Sequence, residues 1–485
     1  MSDEDTLHYL LEEISVLESL VKEMRDENME SEKMEEEKEV KTEVKIGFPV
    51  GEVTFDMKEI LSAKKAAEAK ISKPKLNLMR RKVREFLEGE DYPDYQYWPS
   101  RLGSLMKLHL DDFFDEASIV KEFELESGIE TCAVYGTTET LDGNYSRFIQ
   151  QGARFIEQDG EKIVILLSVD RDGDERITVV SGDKGRGIEI IKEIENSFYK
   201  TGILKNQFFD MEFNFIRRDI DILDKIAWDP DVKLKLEKDI LKFIDILPIL
   251  RERKLPCSRG VILSGPPGTG KTMMCKAIAG QASITTMLIS SEFIKQRSDI
   301  KKAFKTARRL APTLLIIEDV DAAGTVSRAY SDHPLLGEYL QSLDGMEENN
   351  GVIVLATTNH TENMDPALTD RPGRFDRIIE VQTPNSDMRS KIFENLLQRV
   401  PCAKISSEFK KTLVRQSDGL TGAWMREVVQ SALIEAAMDN REMVRESDLK
   451  SSISDVLDRR GLAYKSTPNL GYRRGLRDAE ASYMG

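Results

Sequence analysis

Histidine and cysteine are scarce in this sequence, with four of each in 485 residues. Cys132, Cys257, Cys275 and Cys402 lie far apart, and no CxxC pair occurs. That spacing argues against both a structural zinc site and a disulfide framework. Cys275 is expected to be a buried free thiol. Long apolar runs are lacking too. None approaches the ~20 residues needed to cross a bilayer, and the opening Met1-Ser2-Asp3-Glu4-Asp5 is acidic where a signal peptide is basic. No membrane span and a cytoplasmic address are the expectations. Basic excess is also missing. With 70 Lys and Arg against 86 Asp and Glu, the net charge of −16 argues against a nucleic-acid partner. A hydrophobic fraction of 40 % is enough to give a chain of this length about two to four domains, each with its own core.

Against these absences stands one dense motif, Gly265-Pro266-Pro267-Gly268-Thr269-Gly270-Lys271-Thr272. An apolar run, Val261 to Leu263, precedes it, and a helical pattern from Met273 to Ala279 follows. Strand, glycine-rich loop and helix in that order form the context a phosphate-binding loop requires. Glycines let successive backbone N–H groups wrap one triphosphate, and the helix presents its positive end to it. Lys271 brings a cation to the β/γ-phosphates and Thr272 a hydroxyl to Mg²⁺. A nucleoside triphosphate ligand with Mg²⁺ follows.

In chain order, Leu7, Leu10, Ile14, Leu17, Val21 and Met24 recur at three and four, as in a short coiled coil or an amphipathic helix packed on its own domain. Residues 1–45 hold 16 acidic and 6 basic side chains, a net of −10, and form an acidic coiled-coil and linker segment. Residues 46–205 mix aromatics with turn residues and are expected to form an α+β domain. In it Lys162–Val169 and Arg176–Ser181 are strands, Asp170 to Asp174 a hairpin turn, and Gly187–Tyr199 a helix. Asp170, Asp172 and Asp174 look like a calcium loop, but the glycine is misplaced and the closing glutamate is missing. Residues 206–385 alternate apolar strands with helices, which predicts a parallel sheet covered on both faces. A long helix is expected over Pro230–Leu250. From 386 to 461 four helical segments form a small all-α domain, and 462–485 is a tail.

Further motifs lie on the strand ends. Thr313 to Ile317 is a buried strand closing on Glu318-Asp319, where the first acid can hold Mg²⁺ through water and the second can orient the attacking water. The next strand ends at Asn359, within reach of the γ-phosphate or the lytic water. Arg371 and Arg374 flank Pro372-Gly373 and present two cationic forks suited to phosphoryl charge.

Taken in order and spacing, these motifs make residues 222–460 similar to an AAA ATPase module. The resemblance implies a P-loop α/β domain with a C-terminal helical lid, assembled as a homo-oligomeric ring, a hexamer in most of the family. It places Lys271 and Thr272 in Walker A, Glu318 and Asp319 in Walker B, and Asn359 at sensor 1. Arg371 and Arg374 match fingers that act on the neighbouring subunit's ATP. Gly422-Ala423 matches the lid turn that contacts the nucleotide, and Trp228-Asp229 the segment beside adenine. Loop residues Gly265 through Thr272, with Met273, would complete the nucleotide contacts.

Two departures stand out. Walker B here ends Glu-Asp, not Asp-Glu, an order that resembles the mitochondrial Rieske-protein translocase branch and related prokaryotic AAA proteins. The loop Ser291 to Asp299 is about five residues shorter than the family's pore loop and lacks its aromatic–x–Gly element, which weakens the expectation of threading. The ending Ser482-Tyr483-Met484-Gly485 has no hydrophobic–Tyr–x signature for docking on a proteasome-like protease. The expected function is a chaperone-like ATPase that remodels protein clients recruited through residues 1–205. The alternative is an ATP-gated scaffold with slow hydrolysis.

Overall fold

A computed structural model describes residues 43–48, 51–56, 79–123, 125, 133–220, 226–320, 342, 350–359 and 375–465. The heptad-like stretch, both finger arginines and residues 466–485 lie outside them, and the last helix runs to Lys465, four residues into the expected tail. The chain divides into two compact units, Met1–Thr137 with Arg147–Glu193, and Thr138–Ser146 with Ile194–Gly485.

In the first unit β1 (Glu43–Phe48) and β2 (Gly51–Asp56) form an antiparallel hairpin. A strand therefore begins at Glu43, three residues before the start at 46 expected from composition. A helical segment over 79–87 leads to β3 (Tyr92–Trp98), then α1 (Ser100–Phe113), β4 (Ile119–Phe123), β5 (Val134–Glu139), β6 (Tyr145–Gln158), β7 (Glu161–Val169), β8 (Glu175–Ser181) and α2 (Arg186–Thr201). The strands make a sheet in the order β3-β8-β7-β6-β4, with β5 also paired to β6. Pro93 is tolerated because β3 lies at the edge, where a missing N–H breaks no ladder bond. The Asp170 carboxylate accepts from the amides of Asp172 and Asp174, so it caps its own hairpin turn.

Alternation along the strands sorts the two faces. Phe155, Val164 and Val180 pack with Met79 and Val83 of the 79–87 helix. Glu175, Ile177 and Val179 point the other way, where α1 lies. There Lys107, fully buried, donates to Gln150 O (2.7 Å), Ser168 O (2.9 Å) and the Glu175 carboxylate, so each of its three protons has an acceptor. Ser104 Oγ donates to the same carboxylate at 3.1 Å. Burial alone holds the Lys107 ammonium below the usual lysine range, and Glu175 opposes that shift.

The second unit carries a six-stranded parallel sheet. Its elements are β9 (Phe208–Asp210), α3 (Pro230–Leu236), α4 (Lys242–Glu252), β10 (Arg259–Ser264), α5 (Lys271–Gln281), β11 (Thr285–Ser290), α6 (Arg297–Arg309), β12 (Thr313–Glu318), β13 (Val352–Thr358) and β14 (Arg377–Glu380). The order β14-β10-β13-β12-β11-β9 puts β10 and β12 on either side of β13. β10, β12 and β13 are almost wholly buried, which is why they appear as continuous apolar runs. β9 escaped the pattern because three residues carry no period. The long helix expected over Pro230–Leu250 is interrupted by a π turn, Glu237–Leu241. That turn brings Asp239 inward to Arg259 (3.3 Å) and Arg377 (3.7 Å). Four helices then pack around Phe393, Met425, Val428 and Leu449: α7 (Ser386–Leu397), α8 (Ser407–Gln416), α9 (Gly422–Met438) and α10 (Glu446–Lys465).

The Lys107–Glu175 pair gives a direct stability test. Lys107→Ala leaves the Glu175 carboxylate buried without its cation, and the expected loss is about 3–5 kcal/mol. A Lys107→Met, Glu175→Leu double variant is expected to recover most of it. Urea titration followed by tryptophan fluorescence checks both.

Candidate functional site

β10 runs into the loop 265–270 and α5 starts at Lys271, so the loop hangs at the C-terminal edge of the parallel sheet, where such sheets bind ligands. Gly268 has φ +79°, and a Cβ there would lie 2.8 Å from both Ala423 Cβ and Thr421 Oγ1, so only glycine lets the lid come this close. Ala423 N donates to Gly268 O at 3.2 Å, which ties the N-terminus of α9 to the loop. Among the described residues, the amides of Gly268, Thr269 and Gly270 donate to no protein group. Together with the start of α5 they form the donor set that an anion satisfies.

Lys271 is almost completely buried, and its ammonium donates to Gly265 O (2.7 Å), Pro266 O (3.0 Å) and Asn359 Oδ1 (2.8 Å). Asn359 Nδ2 in turn donates to Asp319 Oδ1 at 3.1 Å. That amide orientation is the one in which oxygen faces the cation and N–H faces the carboxylate. A polar chain thus runs from the phosphate loop through the end of β13 to the residue after β12. Asp319 sits in the left-handed region at φ 49°, with its N–H donating to Thr357 Oγ1 (2.9 Å). A non-glycine residue there costs roughly 1–2 kcal/mol, a cost found at functional sites more than elsewhere.

Glu318 has one carboxylate oxygen, Oε1, buried with no hydrogen-bond partner. Burial raises its pKa above the ordinary glutamate value, the Thr272 hydroxyl bond and Lys276 oppose that, and the neighbouring Asp319 and Glu292 charges reinforce it. A carboxylate oxygen without a partner, beside a threonine hydroxyl, is an all-oxygen donor set that fits a hard divalent cation such as Mg²⁺. Next to it, burial pushes the Cys275 thiol far up, so it stays protonated and inert.

A cavity of about 440 Å³ opens over this constellation, within the usual range of about 300–1,000 Å³ for small-molecule sites. Pro267 through Met273, Asp319, Asn359, Gly422 and Ala423 line it, so the structure gathers most of the residues expected from the motifs. Gly265 and Pro266 contribute through the carbonyls that hold Lys271. Trp228 and Asp229 do not line the cavity. Trp228 packs on the core, and Asp229 caps α3 by accepting from Asp231 N (2.9 Å) and Val232 N (3.4 Å). Their neighbours Ile226 and Ala227 line it instead. Reasoning from motifs also missed Ile392, Leu396, Arg399 and Arg426 of the lid. Ile392 and Leu396, four apart on α7, share a face and are incompletely buried, whereas Arg399 beyond the end of α7 and Arg426 on α9 carry no such spacing signal. The loop between β11 and α6 is short and closed on itself, since Asp299 Oδ2 accepts from Lys295 N (3.2 Å) and Gln296 N (3.1 Å).

Residues 261–383 match the model of the ATPase family associated with various cellular activities, AAA. An ATP-dependent zinc metalloprotease FtsH of Caulobacter vibrioides is 36 % identical over 225 residues, covering 43 % of this chain and 35 % of the relative. FtsH 2 of Sphaerobacter thermophilus is 33 % identical over 244 residues, 48 % of this chain and 37 % of that protein. FTSH 11, chloroplastic/mitochondrial, of Arabidopsis thaliana is 37 % identical over 205 residues, 41 % and 25 %. The chain thus spans about a third of the length of the curated relatives it matches. Its four histidines, at 8, 109, 333 and 360, include no pair four residues apart, so these 485 residues hold no HExxH zinc helix. Among the described residues no helix is long and apolar enough to cross a membrane.

Asp319→Gly and Asp319→Ala both remove the carboxylate, so the difference between them isolates the backbone. The glycine variant is expected to be more stable by about 1 kcal/mol because φ 49° suits it. Thermal unfolding of the pair measures this.

Proposed function

From the AAA-family ATPase domain that the chain carries over residues 261–383, we propose that it binds ATP with Mg²⁺ and hydrolyses it to remodel protein clients. The observation that carries this reading is the Lys271–Asn359–Asp319 chain set beside loop amides that have no acceptor. Lys271 exchanges its loop carbonyls for β/γ-phosphate oxygens, so its charge remains compensated in both states. Thr272 and Glu318 would hold the metal, which would supply positive charge beside the phosphates. Asp319 accepts from the attacking water and orients it, and Asn359 fixes the Asp319 carboxylate at the distance the ladder of β12 and β13 sets. The left-handed backbone at Asp319 turns this shorter acid toward the cavity, which compensates for the exchanged order of the two Walker B acids. Gly422 and Ala423 seat the lid on the loop, and Ile226, Ile392 and Leu396 offer an apolar sector for the base.

Arg371 and Arg374 complete the site of a neighbouring subunit in a homo-oligomeric ring of hexameric type, in the cytoplasm. Residues 1–205 recruit the client or its adaptor. The short, self-capped β11–α6 loop favours remodelling without an aromatic paddle from that loop.

The test is the ATPase rate per subunit against protein concentration, with Lys271→Ala as blank. The rate is expected to climb and then plateau as subunits complete one another's sites. Arg374→Ala in the assembled protein is expected to lower turnover about 10³–10⁵-fold. Chelation of Mg²⁺ is expected to abolish turnover and excess Mg²⁺ to restore it. A flat rate from a species that sizes as a monomer would overturn the shared site. ATP binding without turnover would assign the chain to the gated-scaffold class.

A further inference from the structure

At the end of α5 opposite the phosphate loop sits a second cation, Arg218. Its guanidinium donates to Ala279 O, to Ala282 O (2.6 Å), Ile284 O (2.8 Å) and Asn206 O (3.3 Å), and reaches Thr286 Oγ1 at 3.4 Å. Four of these acceptors run from the C-terminal end of α5 through the turn after it to the start of β11. Partial burial lowers its pKa from the ordinary arginine value. A half-buried arginine held by carbonyls, with no carboxylate partner among the described residues, gives up hydration for a fixed fork geometry.

The segment that carries Arg218 is bound along its length. Asn206 N donates to Thr285 Oγ1 (2.9 Å), and Thr286 N donates to Gln207 O (2.8 Å). β9 pairs in parallel with β11, Thr286 opposite Phe208, and Ile216 N returns to Phe208 O at 2.7 Å. Past Arg218 the backbone lies directly on α5, where a Cβ on Gly280 would come 2.8 Å from Asp219 O. Residues 206–220 are thus a strap across the C-terminal end of the helix whose other end starts at the phosphate loop.

We infer that Arg218 is a positioning residue for the phosphate loop. Through α5 it fixes where the loop amides and Lys271 stand, so the strap and the nucleotide are energetically coupled. The physics is that of one rigid rod with a charge at each end. α5 is 11 residues, roughly 16 Å long. An anion at its N-terminus and a guanidinium at its C-terminus both complement the helix dipole, and the rod cannot tilt without breaking the carbonyl bonds of Arg218. Linkage makes the effect reciprocal, so nucleotide at one end steadies the strap at the other. The inference rests on the nucleotide reading of the loop given above.

The experiment uses the full chain with Mg²⁺ and a fluorescent ATP analogue, at a temperature where circular dichroism shows each variant folded. Arg218→Met is expected to weaken binding at least about tenfold, since small displacements of a positioned site carry large effects. Arg218→Lys, which keeps the charge and loses the fork, is expected to fall between it and wild type. In the wild type, nucleotide is expected to slow hydrogen exchange at the amides of Ile216 and Thr286, and in Arg218→Met that protection is expected to vanish. A purely structural arginine would lower the melting temperature and leave affinity and nucleotide-dependent protection intact in the folded variant, and that result overturns the inference. If Arg218→Met does not fold, Gly280→Ala decides, because it favours the helix while pushing on Asp219 O. Weakened binding supports the coupling and wild-type binding refutes it. Wild-type protein that binds no more analogue than Lys271→Ala would sink the nucleotide reading itself, and this inference with it.

Discussion

Burying an ammonium costs several kcal/mol unless its protons are all donated, and the second unit is arranged around meeting that demand at Lys271. Two acceptors are carbonyls of the loop itself, so the loop must curl back over its own lysine. A third is Asn359, which can be there only if β13 runs beside β10 in the observed register. Asn359 then has an N–H to place, and Asp319 at the end of β12 takes it. Each partner in this chain follows the C-terminal end of a different strand, so the parallel order β10-β13-β12 is what brings them to 2.8 and 3.1 Å from one another. A ligand that competes for the ammonium therefore acts on three strand ends at once.

The same rule appears in two other cations, the buried Lys107 and the half-buried Arg218, with different consequences. Lys107 meets a carboxylate and two carbonyls in the first unit, and fastens a helix to a sheet. Arg218 meets four carbonyls and the Thr286 hydroxyl, and fastens a strap to the end of α5. Lys271 differs because its acceptors are replaceable, which is what a binding group needs and a fastening does not. Glu318 is the complementary case, a buried acceptor with one oxygen unpartnered beside a hydroxyl. Taken together, the site contains donors and acceptors whose demands protein groups meet only in part, next to a helix whose far end is held by Arg218 at Ala279 O.

Much of the architecture was legible from short patterns. Val261 to Leu263, Thr313 to Ile317 and Val352 to Thr358 are strands buried on both faces, and continuous apolar runs of that length have few other solutions. The alternation with helices implied parallel connections, and the four lid helices followed from their period. The hairpin around Asp170–Asp174 came from turn chemistry. The failures have physical causes as well. The π turn at Glu237–Leu241 preserves apolar spacing while inserting a charged residue into the interior, so period alone passes over it. Phe208–Asp210 is too short to show a period. Trp228 is conspicuous as a residue type, yet its ring went to the core and the smaller Ile226 and Ala227 went to the cavity.

By itself the sequence determined the phosphate loop, the acids and the asparagine that follow it on strand ends, and the lid turn at Gly422-Ala423. Each of these is a local device whose chemistry depends on neighbours within a few residues. Only the tertiary structure decided that Asn359 bridges Lys271 and Asp319, that Asp319 stands in a left-handed backbone, and that Arg218 closes the far end of α5. Those contacts join positions separated by 40 to 88 residues within the site and by 61 to 68 at the helix end. Crossover connections set such separations, and no local period or spacing records which distant strand end a side chain will meet.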